Sequence, residues 1–358
     1  MKVGILTFHD VFNPGAFLQA LGTQTLVQSM GHDAYIIDYT APRHRFSVLK
    51  YLKGWNWRVL YRFPLLMNMI LKERAFKTAR KQLLNRTRFF EQRSDLANES
   101  FDLVLIGADV VWNFKHAYLG RDPVYFGDQL NRKCLLSFAA SFGDCSLKDE
   151  IPEYVREGLK EFDGYSVRDA NTADIVEACV GERPLQICDP AFHLDLEAII
   201  PPPVSAEPYV LVYLRNGAFS TALKDEVLRF AKRKGLKIIA TYYTHSWADK
   251  NYSKLEPQDW VGLIRDAAYV VTNTFHGSVF SILLEKHFVV DYNEGILLKT
   301  AGMIRAMELE GQVLEEPDEL SNKLEREIDY GAAREFRIQE TTKARAFVVD
   351  AIDRHQLS

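Results

Sequence analysis

Tyr269-Val-Val-Thr-Asn-Thr-Phe-His-Gly-Ser-Val-Phe-Ser-Ile-Leu-Leu284 decides the fold. A β-branched apolar run ends in a polar hinge with one histidine, and a glycine opens an amphipathic stretch. That pattern is a strand turning into a helix, the junction where α/β proteins hold ligands. N–H groups at the helix start, together with the helix dipole, make a site for a phosphate or carboxylate. His276 stands at that mouth, where an imidazole can donate a proton to a bound anion. The same residues also fit a buried histidine in a common strand–helix turn, and the local sequence leaves both readings standing.

The alternation extends on both sides of this stretch. Residues 2–8, 33–39, 101–106, 133–139, 164–168 and 184–188 read as strands, with helices at 16–30, near 149–162 and at 171–180. Pro201-Pro-Pro-Val-Ser-Ala-Glu-Pro208 suits neither a helix nor a central strand and reads as a linker. Strands then resume at 209–214, 235–241, 269–272 and 288–292, with helices at 223–234, at 258–267 and from Gly277. Charged helices follow at 320–326 and 333–354. Strands alternating with helices imply an α/β fold with parallel sheets covered on both faces. With 358 residues the chain exceeds what one core supports. The expectation is two Rossmann-like domains facing a cleft, residues 1–200 and 209–320, joined by the linker 201–208. Residues 321–358 form C-terminal helices, and a helical basic insertion at about 43–95 interrupts the first domain.

A net charge of −4 gives no general affinity for nucleic acid. Cys134, Cys145, Cys179 and Cys188 form no C-x-x-C pair, so reduced thiols are expected and a structural metal is not. No stretch approaches the ~20 apolar residues of a spanning helix. The opening Met1–Phe8 run lacks a signal-peptide shape, and a cytoplasmic protein is expected. Charge is nevertheless uneven: residues 43–93 hold fourteen Lys or Arg against two acids, Glu73 and Glu91. Tyr51, Trp55, Trp57, Tyr61 and Phe63 are interleaved, as are Leu65, Leu66, Met67, Met69, Ile70 and Leu71. Such a segment suits a helix lying on an anionic membrane surface. It equally suits a helix whose apolar stripe packs on its own domain.

Five segments, taken in order, resemble the polysaccharide pyruvyl transferase family. Thr272-Asn-Thr-Phe-His-Gly-Ser-Val-Phe-Ser281 is similar to its Ser-Phe-His-Gly signature, and Asn13-Pro-Gly-Ala-Phe-Leu-Gln-Ala20 to its N-terminal Asn-Tyr-Gly-Ala-x-Leu-Gln-Ala. Gly107-Ala-Asp-Val-Val-Trp-Asn113 is similar to Gly-Ser-Asp-x-x-Trp-Asn. Ser137–Gly143, and Ser166-Val-Arg-Asp169 followed by Asp189-Pro190, complete the set. Thr274 stands where the family usually has Ser, Ala108 replaces a Ser and Pro14 an aromatic. The resemblance implies a GT-B-like fold. It also implies transfer of a pyruvyl ketal from phosphoenolpyruvate to hydroxyls of a sugar in a cell-surface or exopolysaccharide precursor, with no cofactor. A GT-B glycosyltransferase using a nucleotide sugar, and a catalytically silent sugar-binding protein, are the alternatives.

That chemistry needs cations for a phosphate and a carboxylate, an acid and a base. Arg215 ends the strand 209–214, at the rim where open sheets bind ligands, and a guanidinium there can grip either anion. Thr274, Phe275, His276 and Gly277 complete the expected donor site, with His276 as general acid. Asp109 follows the strand 101–106 and is a candidate base, a hydrogen-bonding partner of the sugar, or a helix cap. The expected acceptor contacts are Trp112 as a stacking face, Asn113, and Asn13 and Gly15 at the first βα turn, with Gln19 beside them. His9 is a further acceptor candidate. Arg168 and Asp169 read as a structural ion pair. The roles of Asp109 and His276 are exchangeable at this level. No D-x-D or H-x-x-x-H cluster marks a catalytic metal. A polyprenyl-linked acceptor at the inner membrane face would suit the basic 43–93 segment.

Overall fold

The computed structural model describes residues 1–40, 59–116, 121–203, 207–292 and 294–357; the side chains of 59–66 and 294–299 are outside the description. The Tyr51, Trp55 and Trp57 part of the basic segment therefore lies outside the described residues.

The chain folds as two compact units. The first holds residues 1–51, 80–194 and 338–358. Its strands are β1 (Lys2–Leu6), β2 (Asp33–Ile36), β3 (Ser100–Gly107), β4 (Asn131–Ala140), β5 (Gly164–Val167) and β6 (Leu185–Gln186). They form one parallel sheet in the order β2-β1-β3-β4-β5-β6. Helix α1 (Pro14–Ser29) connects β1 to β2. Helix α2 (Val59–Leu83) follows β2, and α3 (Glu153–Leu159) and α4 (Ala170–Val180) flank β5. Central strands are buried on both faces: Leu103 through Ile106 and Cys134 through Leu136 are all fully buried. That is why they read as continuous apolar runs rather than as alternating ones. An aromatic core in this unit gathers Trp112, Tyr125, Phe126, Phe142 and Phe162.

The second unit holds residues 52–79 and 195–337. After α5 (Leu196–Ile199), its strands are β7 (Tyr209–Tyr213), β8 (Lys237–Thr241), β9 (Lys250–Tyr252), β10 (Tyr269–Thr272) and β11 (His287–Val290), parallel in the order β11-β10-β7-β8-β9. Its helices are α6 (Thr221–Lys234), α7 (Pro257–Asp266), α8 (Phe275–Leu283), α9 (Glu294–Ala306) and α10 (Leu320–Glu325). Helix α11 (Gly331–Arg354) begins in this unit and belongs to the first from Ile338 onward. Ser220 caps α6 by accepting the Leu223 N–H at 3.0 Å, a side-chain substitute for a missing helical bond.

Most of α2 belongs to the second unit, whereas the sequence reading placed the basic insertion in the first domain. Phe76 and Ala79 of this helix are buried. Asn68 Oδ1 meets Ser253 Oγ at 3.4 Å, and Lys72 Nζ donates to the Tyr242 carbonyl at 3.3 Å. One face of the described part of α2 is therefore packed protein. No helix among the described residues is long and apolar enough to cross a membrane.

Candidate functional site

In the second unit the neighbouring strands β7 and β10 end side by side, Tyr213 opposite Thr272. Thr272 Oγ1 donates to the Tyr213 carbonyl at 2.9 Å. The next residue on β10, Asn273, is 1% exposed and ties the two loops together. Its Oδ1 accepts the Arg215 N–H and its Nδ2 donates to the Ala218 carbonyl, both at 2.8 Å. The loop after β7 is thereby held, and the exposed Arg215 side chain leaves it with no carboxylate in ion-pair range among the described residues.

Helix α8 starts two residues earlier than its glycine suggests. Thr274 is the cap: its Oγ1 accepts the Gly277 N–H at 3.1 Å and lies 3.0 Å from Thr272 Oγ1. Gly277 thus sits inside the first turn with its N–H already satisfied, so neither that N–H nor the Thr274 hydroxyl is the open donor the sequence reading assigned to an anion. His276, 8% exposed, occupies the second position of the helix, its ring edge-on to Phe275 at 5.0 Å. The positive end of the α8 dipole remains directed at the rim shared with Arg215.

Three residues around this rim carried no functional role in the sequence. Tyr243 stacks on Tyr213 with ring centroids 5.7 Å apart. Burial pushes its phenol up while the Arg215 charge pulls it down, which places the guanidinium's field on that ring. Lys72 lies 4.4 Å from the centre of the Tyr242 ring, and burial lowers its ammonium below the ordinary lysine value. Asn273 lay within the quoted motif, and a polar residue directly after a mostly buried strand was the signal available for it. Lys72 had none, being 170 residues from Tyr242. Behind the rim, His245 Nε2 bonds the Leu214 carbonyl at 3.0 Å, and burial lowers the imidazole's pKa.

In the first unit the loops after β3, β4 and β5 interlock. Asp109 has a left-handed backbone (φ 59°), which Asp tolerates because its Oδ1 accepts the adjacent Val110 N–H at 2.9 Å. It caps no regular helix. Its Oδ1 is 3.9 Å from Arg168 Nη2, and 15% of its side chain reaches solvent. Gly107, two residues before, has φ 136°, and a Cβ there would lie 2.2 Å from the Phe138 carbonyl oxygen. Only glycine brings β3 that close to β4.

Several expected acceptor contacts are corrected. The Trp112 ring is fully buried, stacked 5.9 Å from Phe126, with Nε1 donating to the Tyr125 carbonyl at 2.8 Å. It has no free face for a sugar, because the aromatic core takes both. Asn113 is 6% exposed; its amide donates to Asp144 at 2.6 Å and its Oδ1 accepts the Lys115 and His116 N–H groups. It shapes its own loop. Asn13 caps α1, accepting from Gly15 N at 3.0 Å and Ala16 N at 3.4 Å. Gly15 is accordingly a buried first-turn residue whose N–H is spent on that cap. Gln19 Nε2 bonds Thr7 Oγ1 at 3.1 Å, and His9 is buried against Asp38 at 3.1 Å. Arg168 pairs with Asp189 at 2.7 Å rather than with Asp169. Asp169 instead caps α4 through Thr172 N and accepts from Ser141 Oγ at 2.6 Å. Asp189 also caps the turn at Pro190–His193. Of the expected acceptor set, Asp109 keeps a partly open carboxylate, and Asn13, half-buried, spends its Oδ1 on the α1 cap.

Two parallel α/β units, each carrying its polar residues on the loops after the strands, define a GT-B-like protein. The sequence profile of the polysaccharide pyruvyl transferase family matches residues 13–293, and the chain belongs to that family. Membership places it among transferases that modify polysaccharides. No curated protein matches it in sequence. Among solved structures it is similar to a UDP-GlcNAc 2-epimerase from Neisseria meningitidis bound to UDP-GlcNAc, with TM-score 0.54 and 12% identity over 99% of this chain and 100% of that one. A putative UDP-N-acetylglucosamine 2-epimerase from Listeria monocytogenes gives TM-score 0.53 and 9% identity over 95% and 90%. The E. coli heptosyltransferase WaaC gives 0.41 and 12% over 82% and 89%. At these identities the likeness to the two epimerases is one of fold alone.

Proposed function

We propose that the chain transfers the pyruvyl unit of phosphoenolpyruvate to two hydroxyls of one sugar in a cell-surface or exopolysaccharide precursor. Both sugar oxygens bond to the central carbon, the carbon–phosphate ester bond breaks, and the methylene carbon gains a proton. Of the two hydroxyl protons released, one is matched by the new methyl group and one by the departing phosphate, so the reaction balances without a cofactor. Arg215 and the N-terminal end of α8 hold the donor's phosphate and carboxylate. His276 delivers the proton to carbon, and Asp109 accepts a hydroxyl proton. The Arg215–Asn273 hydrogen bond carries this reading. It fixes, beside a helix N-terminus, the base of a guanidinium that has no ion pair among the described residues.

The acceptor carrier is proposed to be lipid-linked at the cytoplasmic face. Arg74, Lys77 and Lys81 are exposed at helical spacing on α2 and suit anionic headgroups. Release of inorganic phosphate from phosphoenolpyruvate with a ketal appearing on the sugar supports the transfer. His276→Asn then abolishes turnover while leaving donor affinity within about tenfold, a ~1.4 kcal/mol effect. Full activity in that variant removes His276 from the mechanism, and protection by nucleotide sugars alone makes the chain a glycosyltransferase.

A further inference from the structure

A second group of side chains is brought together from three separate elements of the first unit. Cys134 is a fully buried residue of β4. Asp163 immediately precedes β5, and His355 follows the last turn of α11. The thiol, a carboxylate oxygen and a ring nitrogen all lie within 4.8 Å of one another. His355 Nε2 is 4.0 Å from Asp163 Oδ1. Asp163 Oδ2 accepts the Leu135 N–H at 2.7 Å, which orients the carboxylate as a supporting partner orients a metal ligand.

The geometry points to a zinc-class divalent ion at Cys134, Asp163 and His355, with water in the fourth position. One soft thiolate, one imidazole and one carboxylate form a donor set that favours zinc over magnesium or calcium. Binding releases the thiol proton to solvent, and the thiolate and carboxylate together then neutralise the cation's two charges. About a third of the Asp163 and His355 side chains is exposed, so an ion has a path in from solvent. The site stands at the opposite end of the sheet from Arg168, and its role is to fasten the end of α11 to β4 and β5. The sequence offered no signal for it, since the ligands are neither in one motif nor at a metal-binding spacing.

The test uses the full chain stripped with a chelator and titrated with cobalt, then zinc. The expected result is a thiolate-to-cobalt charge-transfer band saturating at one ion per chain, bleached by zinc, and a zinc-dependent rise in Tm. Cys134→Ser loses the band. His355→Ala, at the solvent-facing end of the helix, keeps the metal-free Tm and weakens zinc binding at least tenfold, so the test holds even if the strand variant does not fold. No band in the wild type, a band that survives Cys134→Ser, or zinc affinity unchanged in His355→Ala overturns the proposal. Turnover is read separately and does not bear on this site.

Discussion

Asn273 Oδ1 accepts the Arg215 backbone N–H at 2.8 Å, so the residue after β10 fixes the loop after β7. Asn273→Ala leaves that N–H and the Ala218 carbonyl without their partner, a cost of about 1–3 kcal/mol. It also frees the loop that carries the guanidinium. The expected outcome is a lower Tm together with a KM for phosphoenolpyruvate raised at least tenfold. Arg215→Ala should raise KM with little change in Tm, because the side chain is exposed and makes no ion pair among the described residues. Thermal melts beside steady-state kinetics separate the two.

Gly277 is required by space at the start of α8. A Cβ there would lie 2.1 Å from Thr272 Oγ1 and 2.6 Å from Thr274 Oγ1, the hydroxyl that caps the helix. Gly277→Ala is expected to displace the cap and with it His276, lowering kcat as well as Tm. Thr274→Ala removes the cap alone, at about 1 kcal/mol, and Thr274→Ser leaves it intact. Circular dichroism melts of the three variants rank them.

Trp112 is core. Trp112→Ala should cost about 3–5 kcal/mol. Trp112→Phe should cost less and leave acceptor KM unchanged once the protein is folded. A large rise in acceptor KM with an unchanged Tm would return Trp112 to the binding site.

Burial opposes ionisation of Asp38, but the hydrogen bond and charge of His9, with Arg86 and Arg80, outweigh it and hold the carboxyl below its usual range. A carboxylate whose folded pKa is depressed adds stability that is fully present above the unfolded value, ~3.9, and lost as pH falls through the folded value. The stability gap between wild type and Asp38→Asn should therefore be full near neutrality and close as pH drops below about 4. Chemical denaturation at stepped pH measures it, and a gap that widens in acid would contradict this assignment.

The sheets were legible because parallel strands covered on both faces need unbroken apolar runs, and Val210–Val212 and Leu103–Ile106 supply them. The edge strand Lys250–Tyr252 was not, since its two leading residues are exposed and polar. The start of α8 was displaced because a glycine marks a helix boundary only when no capping hydroxyl precedes it, and Thr274 does. Trp112 illustrates the wider limit. An aromatic in a loop after a strand fits a sugar platform or a core equally well, and only the folded positions of Phe126 and Phe142 choose between them. Arg168 similarly sits beside Asp169 in sequence but finds Asp189 in space, which a linear reading does not reveal. The places of His276 and Arg215 just beyond strand ends were readable because each follows a strand whose end is fixed by its own apolar pattern.

The central claim is that the Arg215 rim holds phosphoenolpyruvate. Thermal-shift titration with phosphoenolpyruvate, alongside UDP-, GDP- and CMP-sugars, tests it most directly. A ligand at about 100 times its dissociation constant adds ~2.7 kcal/mol, a readily measured rise in Tm. Stabilisation by phosphoenolpyruvate that disappears in Arg215→Ala is the predicted result. Stabilisation by a nucleotide sugar instead, or a phosphoenolpyruvate shift that survives Arg215→Ala, would contradict it.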